Sequence, residues 1–319
     1  DGEAFPQRII CGTESFPTEY DVIWERVEAN DHVIGDFTWT SFDYIGEAGI
    51  GKSVWLDEGA NPRAAMMMSH SSAFPWRTAN DADFDICGFE RPQLAYRRIV
   101  WGSGETYIAV HDPAGYGKFE AVSQWGWPQV HNHWNWAGRE GQPVQVSVYS
   151  RAEEVELRLN GVSVGRAPAG KAARYTAKFE LPYAPGTLEA VSYTGGAELS
   201  RQIIATTGAP VGLRITFEPG VFAAGEQSLA YATVEIVDAE GRRVPDAALR
   251  AEAAVTGAAT LQAFASARPQ TEENYTAGAF TAYEGRWQAI LRSAAEPGAA
   301  TLRVTAAGLP AAEAEIVAG

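Results

Sequence analysis

From about Ala109 to the carboxyl end, apolar residues recur at every second position, and that period admits few folds. Val144, Val146 and Val148 alternate with polar residues, as do Val155, Leu157 and Leu159. Such alternation puts one face of each strand in a core and the other in water. Asn160-Gly161 stands where a two-residue hairpin turn is wanted, with Val162 and Val164 on the return strand. Ala177 to Tyr193 continues the style, with Pro185-Gly186 as a turn. The pattern predicts an antiparallel, immunoglobulin-like β-sandwich over residues 108–208. Thr206-Thr207-Gly208-Ala209-Pro210 reads as a linker. Beyond it, Leu213-Ile215-Phe217, Val234-Ile236, Ala289-Leu291 and Leu302-Val304 alternate again, with turns at Asp238–Gly241 and Glu296–Gly298. A second sandwich is expected over residues 209–319.

Residues 1–107 obey a different period. Ile9-Ile10-Cys11 reads as a buried strand running into a small-residue corner that presents Glu14 and ends at Pro17. Thr18 is the expected helix N-cap, with Glu19 and Asp21 in the first turn. Tyr20, Ile23, Trp24 and Val27 then mark one helix face. Val33 to Thr40 is a second strand, followed by a loop through Gly46, Gly49 and Gly51. Pro92 to Trp101 is a further amphipathic stretch. Strand, helix, strand, long loop, helix is the grammar of parallel α/β structure. A (β/α)8 barrel takes roughly 250 residues and eight strands, and this region supplies two. Two parallel strands cannot bury both faces unaided. The expectation is therefore the end of a larger domain, with its beginning on another chain or removed.

Composition narrows the partners. The net charge of -15 argues against nucleic acid. No apolar run approaches a membrane span. Cys11 and Cys87 fit neither a disulfide framework nor a metal site, so both are expected as buried free thiols. That leans toward a reducing, cytoplasmic compartment. The chain begins at Asp1, without methionine, so the lack of a visible signal peptide carries no weight. Six of ten tryptophans lie between Trp76 and Trp136, and aromatic rings pack well on the apolar faces of sugars.

No Ser-His-Asp order, phosphate loop or metal-ligand spacing stands out. His131 and His133 belong to a Trp-rich segment and read as structural. What remains is carboxylates and tryptophans: Glu14, Asp36, Asp43, Glu47, Asp83 and Asp85, with Trp39 and Trp76. Acid pairs flanked by aromatic platforms are the equipment of glycoside hydrolysis.

Several ordered motifs then carry a resemblance across essentially the whole chain. Cys11-Gly12-Thr13-Glu14-Ser15-Phe16-Pro17, Val33 to Thr40, and Phe42-Asp43-Tyr44-Ile45-Gly46-Glu47 resemble the last two barrel strands of glycoside hydrolase family 2 β-galactosidases. Phe74-Pro75-Trp76-Arg77, Asp83 to Phe89, Trp134-Asn135-Trp136 and Val155 to Gly161 continue it. Thr271 to Tyr275 and Tyr283 to Arg286 extend it toward the end. The resemblance implies that Glu14 is the catalytic nucleophile. It implies that Trp39 ends the eighth barrel strand, with a cis peptide to Thr40, and that Trp76 is the platform for the galactose ring. Asp83 and Asp85 would lie on the loop bordering the sugar pocket, and Asp43 is a further candidate for sugar contact or loop bracing.

The implied reaction is double displacement with retention, requiring a second carboxyl ~5–5.5 Å from the nucleophile. The family's acid/base is a glutamate after an asparagine, and no Asn-Glu pair precedes Glu14 here. The chain alone is therefore expected to hydrolyse little or nothing, and the amino-terminal part of the same enzyme is its expected partner. No cofactor or metal is implied, and a homo-oligomer stays open. Two rival readings are a carbohydrate-binding or interaction fragment and a family 2 enzyme of other specificity, such as β-glucuronidase. The latter needs cations for the substrate carboxylate, and Arg77 is the one beside the expected platform.

Overall fold

The computed structural model describes residues 4–57, 59–61 and 72–319. Two compact units meet at Thr206/Thr207.

In the first unit, β1 (Ile10–Ser15) and β2 (Val33–Thr38) pair in parallel, joined by α1 (Tyr20–Glu28). Gly12 lies opposite Asp36, where a Cβ would come within 3.1 Å of the aspartate Cβ, so a larger residue would press on Asp36. Helix α1 does not begin at a Thr18 cap. Pro17–Glu19 form a 3₁₀ turn first, and no side chain caps either helix start. The proline, with its fixed φ and missing donor, starts the turn instead. Tyr20 is buried, and Trp24 packs on Trp101 with ring centroids 5.1 Å apart. Tyr20 shares a core with Tyr96, Ile99 and Val100 of α2 (Pro92–Val100).

The β1–β2 sheet is less buried than its sequence suggests. Ile9 is 70% exposed, Ile34 65% and Phe37 67%. Only two strands form this sheet among the described residues, and these apolar side chains are left bare. Cys11 and Cys87 are also only half-buried, both as free thiols. A short ribbon, β3 (Ser53–Leu56) with β5 (Phe119–Val122), follows the glycine loop.

The rest of the unit is a β-sandwich. One sheet has the order β10 (Thr176–Pro182), β7 (Pro143–Tyr149), β4 (Tyr107–His111), β6 (Val130–His131). The other runs β12 (Ala197–Ala205), β11 (Thr187–Thr194), β8 (Glu154–Leu159), β9 (Val162–Pro168). Val144, Val146, Val148, Val155 and Leu157 enter the core with Trp134, as alternation requires. Asn160 and Gly161 take φ of 52° and 79°, the left-handed pair a tight hairpin needs. Val162, at 70% exposure, and Val164 stay outside because β9 is an edge strand.

The second unit is another sandwich. Its sheets are β13 (Gly212–Phe217), β14 (Leu229–Val237), β18 (Arg286–Ser293), β16 (Ala259–Ala265), and β17 (Ala279–Thr281), β15 (Arg250–Gly257), β19 (Gly298–Ala306), β20 (Ala312–Ala318). Trp287, Phe264, Phe280, Ile236, Leu291 and Leu302 fill the space between them. Asp238 ties the expected turn: its carboxylate accepts from the backbone N–H of Gly208, Glu240 and Arg242.

Candidate active site

Glu14 is exposed near the carboxyl end of β1. Its Oε1 accepts the indole N–H of Trp125 at 2.6 Å. Phe16 packs edge-on against the same indole, centroids 5.4 Å apart, so one tryptophan braces both sides of the corner. The neighbouring Ser15 is buried, and its hydroxyl donates to Asp36 on β2. Alternation along the strand thus sends Ser15 inward and Glu14 outward.

The end of β2 comes alongside. Trp39 N–H donates to the Ser15 carbonyl at 3.3 Å, and the Trp39–Thr40 peptide is cis. The Trp39 ring meets Tyr44 edge-on at 6.3 Å and hydrogen-bonds its hydroxyl. That hydroxyl donates in turn to Glu47. Burial, then the Glu47 bond, pushes the Tyr44 phenol well above its usual pKa, so it stays a protonated donor.

Trp76 lies farther along the loop system. A Cβ on Gly49 would sit 3.2 Å from its ring, so the indole rests directly on the glycine backbone. Asp43 faces the loop interior: one oxygen accepts the backbone N–H of Tyr44 at 3.0 Å and of Asn80 at 2.8 Å. Asp83 has no side-chain exposure; it pairs with Arg97 and accepts the Tyr20 hydroxyl at 3.2 Å. Asp85, also buried, accepts the N–H of Cys87 and Phe89 at 2.9 and 3.0 Å. The structure therefore brings Glu14 and Trp39 together at adjacent strand ends, whereas the three aspartates hold the following loop in shape. His133 accepts the Asn135 N–H and packs on Trp136, which is a structural role.

Two residues escaped the sequence. Trp125 was hidden in a Trp-rich segment, and nothing in its local pattern marks the one indole that reaches Glu14 across 111 positions. Asp81 is 1% exposed, and among the described residues no other residue hydrogen-bonds either carboxylate oxygen. Burial, then the Asp43 carboxylate, pushes its pKa up to about 7. Its signal was present in Asn80-Asp81-Ala82-Asp83-Phe84-Asp85, a run denser in acid than a turn needs. Among the described residues, no three His, Cys, Asp or Glu side chains stand close enough to hold a metal.

An exposed carboxylate held by an indole, beside a second tryptophan on the next strand, can attack a sugar's anomeric carbon or stabilise positive charge there. The chain is similar to several known proteins. Residues 213–315 match glycoside hydrolase family 2 C-terminal domain 5, and residues 141–200 match a domain of unknown function, DUF4982. The β-galactosidase BoGH2A of Bacteroides ovatus is 25% identical over 278 residues, 85% of this chain and 27% of that protein. A putative β-glucuronidase of Formosa agariphila is 26% identical over 192 residues, 60% of this chain and 15% of that protein. A crystal structure of a family 2 member from Bacteroides cellulosilyticus is 33% identical, with a TM-score of 0.88, over 100% of this chain and 40% of that one. The chain thus spans at most two fifths of these relatives. Residues 213–315 thus form a glycoside hydrolase family 2 C-terminal domain, and the comparisons support a carboxyl-terminal fragment of a member of that family.

Proposed function

We propose that this chain is the nucleophile-bearing part of a retaining β-galactosidase that hydrolyses terminal β-galactosides. In this reading residues 1–107 supply the last two βα units of a (β/α)8 barrel, and residues 108–208 and 209–319 are immunoglobulin-like sandwiches. The observation that supports it best is Glu14 at the end of β1, hydrogen-bonded to Trp125 and beside Trp39 at the end of β2. Active groups of such barrels gather at the carboxyl ends of the strands. The apolar side chains of Ile9, Ile34 and Phe37, left bare around this two-stranded sheet, are what an unfinished barrel would leave.

Glu14 attacks the anomeric carbon, a C–O bond forms, and the glycosidic C–O bond breaks. The leaving oxygen takes its proton from an acid on the amino-terminal part of the enzyme. Water then displaces Glu14 as that group takes the proton back, and the anomeric configuration is retained. Trp39 and Trp76 pack on the ring. Asp43, Asp83 and Asp85 support sugar binding by framing the loop that carries Trp76. The half-buried thiols support a reducing, cytoplasmic setting.

Arg77 beside Trp76 and the β-glucuronidase among the relatives favour one rival specificity. The test compares an aryl β-galactoside with the matching glucuronide. The 319-residue chain alone should turn over neither, and the enzyme restored to full length should prefer the galactoside. Preference for the glucuronide would replace the specificity, and turnover by the isolated chain would remove the need for a partner.

A further inference from the structure

A second cleft of about 680 Å³ lies in the first unit, on the outward face of the β10–β7–β4–β6 sheet. Its volume is that of small-molecule sites, roughly 300–1,000 Å³. None of Glu14, Trp39, Trp76 or Trp125 lines it. The floor follows from strand register: Lys178 lies opposite Ser147, and Glu180 opposite Gln145. His111 joins from β4, its Nε2 2.9 Å from the Ser147 hydroxyl. Burial, then nearby Lys178, lowers the His111 pKa to about 4, so the ring is a neutral hydrogen-bonding group near pH 7. At one end stand Trp127 and Tyr96, centroids 5.1 Å apart. At the other, a smaller hollow shares His111 and Gln145 and adds Trp55, Tyr116 and Lys118. The whole is a trough with aromatic rings at both ends and a polar floor.

Its charges select the occupant. The carboxylates already have donors: Glu180 accepts the Tyr116 hydroxyl at 3.0 Å, and Glu120 accepts the Ser53 hydroxyl and the Gln129 N–H. Arg174 is engaged by Asp21. Among the described residues Lys118 and Lys178 form no ion pair. A polyanion would meet Glu120 and Glu180, and a docked protein segment would strip water from two unpaired ammonium groups at high cost. A neutral polyol offers each ammonium a hydroxyl acceptor and each acceptor a hydroxyl donor, and its apolar ring faces suit the indoles.

We propose that this cleft is a second carbohydrate site, taking a neutral oligosaccharide with sugar rings at the Trp127 and Trp55 ends and hydroxyls on the Lys178–Gln145–Ser147 floor. The site does not depend on the galactosidase reading.

The test is calorimetric titration of the 319-residue chain with β-1,4-galactotetraose, cellotetraose and xylotetraose. At least one should bind with one-to-one stoichiometry. Lys178→Ala and Gln145→Ala change exposed side chains, and each should weaken binding about tenfold, the share of one hydrogen bond. Trp127→Ala should abolish it, with circular dichroism reporting whether the fold survives. Absence of binding by all three sugars at millimolar concentration would overturn the proposal. So would binding that Trp39→Ala removes and Lys178→Ala leaves intact, because the sugar would then sit at the Glu14 end.

Discussion

Asp83 is the side chain whose loss should cost the first unit most. Its carboxylate is out of solvent, pairs with Arg97, and accepts from Tyr20, while its backbone N–H donates to Thr40 at 3.1 Å. It thereby ties α1, α2 and the residue after Trp39 into one block. Asp83→Asn keeps the shape, and its amide oxygen can still accept from Tyr20. What it removes is the negative charge, leaving an Arg97 side chain only 12% exposed as an unpaired cation. Breaking one side of a buried pair costs about 3–5 kcal/mol. For a unit the size of Asp1–Thr206, each kcal/mol moves Tm by roughly 2–4 °C. The first unit's transition should therefore fall by about 6–20 °C in scanning calorimetry, with the second unit's transition unmoved. Replacing both partners, Asp83→Leu with Arg97→Met, should recover most of that loss, since it leaves no buried charge behind. A drop under ~2 °C in the single variant, or no recovery in the double, would refute the reasoning.

Other consequences are as direct. Trp287→Ala empties the centre of the second sandwich and removes the indole donor to the Phe280 carbonyl, so that unit should lose ~3–5 kcal/mol in urea unfolding. Burial opposes ionisation of Asp238, but the backbone N–H groups of Gly208 and Arg242 and the Arg242 guanidinium outweigh it and hold the folded-state pKa below the usual carboxylate value. A depressed folded value means stability present above the unfolded pKa of about 3.9 and lost as pH falls through the folded one. The second unit should weaken below about pH 4, and Asp238→Asn should flatten that slope. In the complete enzyme, Trp125→Phe removes the donor to Glu14; a hydrogen bond to a charged group is worth ~1.5–3 kcal/mol. kcat/KM should fall by about ten- to a hundredfold with the fold intact, and an unchanged value would deny Trp125 any part in positioning.

The sandwiches were legible because burial on one face forces a two-residue period, and Val144, Val146 and Val148 obey it. The same period put Val162 and Val164 on the return strand, where they lie, but a sequence does not say that this strand is at the edge and leaves both exposed. It also read Ile9 as buried, although apolar character shows only what a strand would cover if its neighbours were there. Glu14 and Trp39 could be found because strand ends are marked by a change of pattern, and the ordered motifs placed both. Trp125 and Asp81 could not. Their importance rests on contacts between distant segments and on a carboxylate that no other described residue hydrogen-bonds, and neither leaves a period in the chain.

The central claim is that Glu14 is the nucleophile. A 2-deoxy-2-fluoro-β-galactoside with a good leaving group traps the covalent intermediate of a retaining enzyme, and peptide mass mapping of the labelled full-length protein locates it. The account predicts one fluorogalactosyl group on the peptide Ile10–Pro17, attached at Glu14 and absent from Glu14→Gln. A label on any other carboxylate, or rapid turnover with no covalent adduct, would contradict it.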